Sequence, residues 1–214
     1  MATSDSDVAD GTYDLSRSPV FTASDMEKLK NKDRERKDGV PLQTNWTFWV
    51  DKSIPGASAA QYQANLKKIY SVSTVQEFWA VLNHIPGVET LPPRCSYHLM
   101  REDIRPMWED DQNKKGGTWR LRVSKKDTPR VWQELLLAAI GEQLSEGVNE
   151  GDAICGVSVT LRDKDDIVQV WNLRANLAEN SHVLPRIHKL VPEIEFDTVY
   201  YKPHQTHAAY QGGR

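Results

Sequence analysis

The chain predicts an α+β fold on a mostly antiparallel sheet. Short runs rich in β-branched and aromatic residues outnumber the stretches with helical periodicity. The two kinds do not alternate regularly, as a parallel sheet with crossover helices would require. The 214 residues, 39% of them hydrophobic, suffice for one core but not for two typical domains plus a tail.

Order is expected to begin near Pro41. Over residues 42–50, aromatic and β-branched residues in partial alternation predict a half-buried strand, with Leu42, Phe48 and Val50 on one face and Trp49 on the other. Pro55-Gly56 marks a turn, and the stretch around Gln61-Tyr62-Gln63 is polar. Thr74 with Glu77 reads as a capping box opening a helix, with Val75, Phe78, Trp79 and Leu82 at helical spacing before Pro86-Gly87. A longer helix opens with Thr128 as N-cap and Pro129 at the first helical position, and runs to about Gly141. Its Trp132, Leu135, Leu136, Ala139 and Ile140 form an apolar stripe that belongs in the core. A third helix is expected near Ser181 to Leu190, interrupted early by Pro185. Strands are expected at residues 97–100, 119–123, 153–161, 167–171 and 196–201, with Gly116-Gly117 and residues 163–166 as hairpin turns.

These elements place one domain at residues 40–203, between an N-terminal tail (1–39) and a short flexible C-terminal tail (204–214). The first 39 residues are rich in Ser, Asp, Lys and Arg, and their mixed-charge run Lys28 to Gly39 reads as a solvated, disordered segment. The formal net charge of -3 provides no diffuse cationic field, so binding to a nucleic acid would need a local site. Cys95 and Cys155 fit neither metal-ligand spacing nor a redox motif, which suits buried thiols in a reducing compartment. No apolar run approaches the roughly 20 residues of a membrane span, and no signal-peptide core is present. A monomer in the cytoplasm, with the nucleus also open to it, is expected.

Seven tryptophans are more than a core this size ordinarily needs, so several rings should keep an edge at the surface. One of them, Trp108, lies in the run Pro106-Met107-Trp108-Glu109-Asp110-Asp111. Guanine offers two adjacent donors on its Watson-Crick edge, and a carboxylate such as Glu109 accepts both. Trp108 could stack on the base if the backbone turns around its edge, which Pro106 and Asn113-Lys114-Lys115-Gly116-Gly117 favour. On these residues alone, a ring capping the core beside a solvated acidic turn is the favoured reading. Arg162 with Lys164, and Arg120 with Arg122, have the i, i+2 spacing that puts two cations on one strand face, available either to phosphates or to water.

Taken together, the motifs resemble the eukaryotic translation initiation factor 4E family of messenger-RNA cap-binding proteins. The resemblance rests on Pro41-Leu42-Gln43, Trp46, Trp49, Phe78-Trp79 with Asn83-His84, Pro106-Met107-Trp108-Glu109-Asp110, Asn113-Lys114, Gly116-Gly117, Trp119, Ile140-Gly141-Glu142, Cys155-Gly156 and Trp171. Their order and spacing match over about residues 41–201. It implies a curved antiparallel sheet backed by about three helices on its convex face, with a ligand slot on the concave side. It also implies binding of the 7-methylguanosine cap, whose cationic base stacks between two aromatic rings. Trp108 takes one ring position and Tyr62 the other, where the usual member has Trp. Glu109 then holds the guanine edge, the Trp108 backbone N–H reaches O6, Trp171 lies against the methyl group, and Arg162 matches the phosphate-binding Arg.

Two further departures are Ile167, where the usual member has a phosphate-contacting Lys, and Thr118, where it has Arg. Tyr62 and Ile167 look more like the second, 4E-homologous class, whereas Trp46 is typical of the first. The family's partners carry a Tyr-x-x-x-x-Leu-hydrophobic helix, and the patch that takes it maps to Pro41, Val75, Trp79, Glu134 and Leu137. Val75 and Trp79 are one helical turn apart, as such a groove requires. The family's usual His before that Pro is Val40 here. The resemblance implies a non-enzymatic factor with no cofactor, no metal and no catalytic residue, bringing capped messenger RNA to scaffold or repressor proteins. Competing readings are a repressor that occupies the cap without supporting initiation, a cap-blind interaction module, and a hydrolase using Glu109, Asp110 and Asp111 for a metal.

Overall fold

The computed structural model describes residues 39–206. Among the described residues there are seven strands: β1 (Pro41–Lys52), β2 (Lys67–Thr74), β3 (Cys95–Arg101), β4 (Gly117–Ser124), β5 (Ile154–Thr160), β6 (Asp165–Asn172) and β7 (Thr198–Pro203). Four α-helices accompany them: α1 (Ala59–Asn65), α2 (Val75–Leu82), α3 (Thr128–Ile140) and α4 (Val183–Leu190). The strands form one sheet in the order β2-β1-β3-β5-β6-β4-β7, each pair antiparallel. This is the α+β antiparallel architecture expected from the sequence.

Alternation along the strands sorts side chains between two faces. Trp46 and Phe48 of β1, Tyr97 and Leu99 of β3, Trp119, Leu121 and Val123 of β4, and Val168 and Val170 of β6 enter the main core with the helices. The helical stripe of α3 arrives there too, with Trp132, Leu135, Leu136 and Ala139 buried. The opposite face carries a smaller apolar cluster of Met100, Ile104, Cys155 and Trp171, flanked by Trp49, Trp108 and Leu173. Trp49 thus stands on the other face from Phe48, as its place in the alternation required.

Local chemistry sets several boundaries. In α2 the capping box is present, with the Glu77 N–H donating to Thr74 Oγ1 at 3.2 Å and the Thr74 N–H donating to Glu77 Oε2 at 3.0 Å. At α3, however, the N-cap is Asp127; Thr128 is instead turned inward, its hydroxyl bonding the Ser124 carbonyl and Asp166. Pro185 does not interrupt α4. It lies in the first turn, where a missing N–H costs no helical hydrogen bond.

Two elements escape the sequence pattern. The polar stretch around Gln61 is helix α1, opened by a second capping box in which Ser58 and Gln61 bond each other reciprocally. Strand β2 was hidden by its lysines and serines, which occupy an exposed edge of the sheet where charge is favourable. The last strand begins at Thr198, two residues later than the apolar run suggested. Neither proposed hairpin turn stands as drawn. Gly116-Gly117 leads into β4, and a Cβ on Gly116 would collide with the Asn172 carbonyl. The β5–β6 connection is residues 161–164, with Asp165 and Asp166 already in β6.

Burial also corrects the tryptophan argument: Trp46, Trp119, Trp132 and Trp171 are all at most 4% exposed, and Trp79 alone among the seven is exposed. Beyond Pro203, His204 is buried and its Nδ1–H donates to the Asn113 carbonyl at 2.7 Å. The N-terminal tail up to residue 38 and the last eight residues lie outside the described residues. Among the described residues no helix is long and apolar enough to cross a membrane.

Candidate functional site

A cavity of about 450 Å³ opens on the sheet face opposite α2 and α3. Tyr62, Trp108, Glu109, Arg162 and Trp171 all line it. Four separate stretches of chain therefore deliver the five expected ligand residues to one place: α1, the β3–β4 loop, the β5–β6 connection and strand β6.

The β3–β4 loop is held by its own polar residues. Asn113 is fully buried, and its Nδ2 donates to the Arg105 carbonyl at 2.7 Å and the Met107 carbonyl at 2.8 Å. Asp110 accepts from Arg105 Nε at 3.1 Å and from the Gln112 N–H at 3.1 Å. Asp111 pairs with Lys114 at 2.7 Å. The acidic run therefore divides by role: Asp110 and Asp111 brace the loop, while Glu109 lies exposed at the cavity beside half-buried Trp108. Among the described residues, no group of three or more His, Cys, Asp or Glu side chains is arranged to hold a metal ion.

Tyr62 faces the loop from α1. Its hydroxyl reaches Asp51 Oδ2 at 3.1 Å and the Pro106 carbonyl at 3.3 Å, so the ring is tied both to β1 and to the segment carrying Trp108. Burial, and then the Asp51 carboxylate, push the phenol well above its ordinary range. Trp171 is 3% exposed, with its indole N–H donating to Ser158 Oγ at 2.9 Å and its ring against His204 at 5.0 Å.

The cations divide in the same way. Arg122 pairs with Asp165 at 2.7 Å, and Lys164 does not line the cavity. Arg120 and Arg162 do line it, and neither guanidinium has an acidic partner within ion-pair distance among the described residues. Thr118 is buried and accepts from Arg120 Nε at 3.1 Å, so this departure from the usual pattern helps hold the Arg that points into the site. Ile167 does not line the cavity. The i, i+2 spacing on β4 suggested Arg120, but only the pairing of Arg122 with Asp165 distinguishes the two.

Sequence reasoning missed Asp51, His98 and Ser158. All three are at most 3% exposed. His98 Nε2 lies 2.6 Å from Asp51 Oδ2, and His98 Nδ1 lies 2.7 Å from Ser158 Oγ. The signal available was a polar residue inside an apolar strand run, such as His98 in Tyr97-His98-Leu99-Met100.

On the helix-backed face, Pro41 pairs with Thr74, and the Val75 N–H donates to the Val40 carbonyl at 2.9 Å, bringing the start of β1 to the start of α2. Trp79 is 36% exposed, with its ring edge-on to Phe78 at 5.6 Å. Glu134 and Leu137 lie within one turn of each other on α3, both half-buried. Arg101 holds Glu142 through two 2.7 Å bonds and lies 4.5 Å from the centre of the Trp46 ring, which ties together two of the motif residues, Trp46 and Glu142.

The family model described as eukaryotic initiation factor 4E matches residues 41–213. Eukaryotic translation initiation factor NCBP of Arabidopsis thaliana is 35% identical over 198 residues, 91% of this chain and 86% of that protein. Human eukaryotic translation initiation factor 4E is 35% identical over 180 residues, 80% and 79% of the two chains. Among solved structures, C. elegans eIF4E-3 in complex with the 4E-binding protein Mextli and a cap analog superposes with a TM-score of 0.67 at 32% identity, covering 78% of this chain and 94% of that one. Ascaris suum eIF4E-3 with the m2,2,7G cap gives 0.66 at 32% identity, covering 80% and 94%. Fold, motif register and these matches agree: the chain belongs to the eukaryotic initiation factor 4E family.

Proposed function

We propose that this chain binds the 7-methylguanosine cap of messenger RNA and links it to partner proteins in translation initiation or its regulation. The observation that carries the reading is the convergence of Tyr62, Trp108, Glu109, Arg162 and Trp171 on one cavity. Tyr62 and Trp108 sandwich the cationic base, Glu109 accepts its N1 and amino hydrogens, and the Trp108 N–H reaches O6. Trp171 lies against the methyl group. Arg162 and Arg120 take the phosphates, Arg120 standing in for the cations lost at Thr118 and Ile167. The cap complexes of the two nematode relatives support this assignment.

The helix-backed patch of Pro41, Val75, Trp79, Glu134 and Leu137 takes a partner helix of the Tyr-x-x-x-x-Leu-hydrophobic type, a reading supported by the Mextli complex of the C. elegans relative. Tyr62 and Ile167 favour the 4E-homologous class, in which the protein competes for the cap without supporting initiation. No catalytic step is assigned. The protein acts as a binding factor in the cytoplasm or nucleus.

Tryptophan fluorescence titration with 7-methyl-GTP and with GTP tests the site. Quenching at much lower concentration by the methylated ligand is expected, and equal responses would sink the proposal. Glu109→Ala should abolish binding, whereas normal binding by that variant would remove Glu109 from the base-reading role.

A further inference from the structure

Beneath the slot, five side chains from four strands and α1 form one continuous hydrogen-bonded chain: Tyr62, Asp51, His98, Ser158 and Trp171. A neutral imidazole satisfies every member of the chain. An indole N–H only donates, so Ser158 Oγ accepts from Trp171. With the Ser158 hydroxyl hydrogen directed at His98 Nδ1, the imidazole hydrogen is on Nε2, facing Asp51 Oδ2. Tyr62 donates to the same carboxylate oxygen. Every donor is used once when the imidazole is neutral and Asp51 is ionised.

In that arrangement Asp51 is a carboxylate 1% exposed that lines the ligand cavity and receives its hydrogen bonds from neutral donors. Its second oxygen, Oδ1, is buried without a hydrogen-bond partner among the described residues. An uncompensated buried charge is costly, and it persists where something else offsets it. A cation in the cavity would do so.

We propose that Asp51 is a specificity-determining residue of this slot, its buried negative charge selecting a cationic, ring-methylated guanine over the neutral base. The inference rests on the cap-binding reading above and adds to it a selectivity term separate from ring stacking. Tyr62 presents a smaller π-face than Trp, so the cation–π share of the discrimination shrinks, and the charge of Asp51 supplements it. In a cavity of about 450 Å³ any base lies within roughly 10 Å of the carboxylate, where an interior charge pair is worth roughly a tenfold change in affinity.

The test is fluorescence titration of the full chain, wild type and Asp51→Asn, with 7-methyl-GTP and GTP, folding being checked by thermal melting. Asn keeps an acceptor for Tyr62 and His98 but removes the charge. The ratio of the two affinities should fall about tenfold, with the loss confined to the methylated ligand. An unchanged ratio, or equal weakening of both ligands, overturns the assignment to Asp51 while leaving cap binding intact. Failure of cap binding itself shows separately, as equal responses in the wild type. Should Asp51→Asn not fold, the pair Asp51→Leu and His98→Leu removes both buried partners together and must give the same fall in ratio.

Discussion

Removing one oxygen from the slot, in Tyr62→Phe, tests whether the ring is a passive platform or an anchored one. The hydroxyl has a single hydrogen shared between Asp51 Oδ2 at 3.1 Å and the Pro106 carbonyl at 3.3 Å. Its loss leaves a buried carboxylate with His98 as its remaining partner. A hydrogen bond to a charged group contributes about 1.5–3 kcal/mol. Tyr62 is only half-buried, so water can enter the vacated place and the lower end, about 1.5 kcal/mol, is expected. For a domain of this size that is a fall in Tm of about 3–6 °C. Burial raises the phenols of Tyr62, Tyr97 and Tyr201, so the folded state keeps protons that the unfolded state releases. Stability is thus fully present below about pH 10 and falls as pH rises above it, each tyrosine adding at most about 1.4 kcal/mol per pH unit. Urea denaturation at pH 7 and between pH 9.5 and 11 measures both effects. A Phe variant within about 0.5 kcal/mol of wild type at pH 7, with an unaltered alkaline slope, refutes the anchoring argument.

Glu142 is desolvated, which raises its pKa, yet hydrogen bonds from Arg101, Ser145 and Thr44 outweigh this and hold it below the ordinary carboxylate value. Its stabilisation is present above about pH 4.5 and lost as pH falls through the lowered folded value, so Glu142→Gln should flatten the acid limb of a stability–pH curve. Arg120→Ala should lower affinity for 7-methyl-GTP and reduce the slope of log affinity against log salt by about 0.7; an unchanged slope would place Arg120 off the phosphates. Trp79→Ala should cost at least about tenfold in binding of a Tyr-x-x-x-x-Leu-hydrophobic peptide while cap-analogue titrations stay unchanged. Calorimetry showing undiminished peptide affinity would remove Trp79 from that surface.

The parts of the fold that could be read from sequence are those whose signal is local. The capping box at Thr74 and the apolar stripe of α3 declare themselves within one or two turns, and both are present. Strand β2 and helix α1 do not, because an edge strand and a short surface helix bury too little to carry an apolar pattern. Trp108 and Glu109 were legible because they are adjacent, and the loop motif around them limits what they can face. Asp51, His98 and Ser158 were not, because their partnership depends on register. His98 lies directly opposite Ser158 on β5 and opposite Trp49 on β1, which leaves Asp51 two residues along the neighbouring strand. A shift of one residue in either pairing would turn these side chains to different faces.

That dependence changes the meaning of the Tyr62 departure. From sequence, Tyr in place of Trp is only a smaller ring with a weaker stack. In the structure its hydroxyl joins a carboxylate that is itself tied through His98 and Ser158 to Trp171 on the far side of the cavity. Trp cannot replace it as an equivalent, because an indole places its single N–H elsewhere and leaves Asp51 Oδ2 one donor short. The residues at 51, 62, 98 and 158 therefore form a coupled unit, and substitutions among them should be non-additive, as expected for groups in one hydrogen-bond network. What the smaller ring loses in stacking, the charge beneath it returns as preference for a cation.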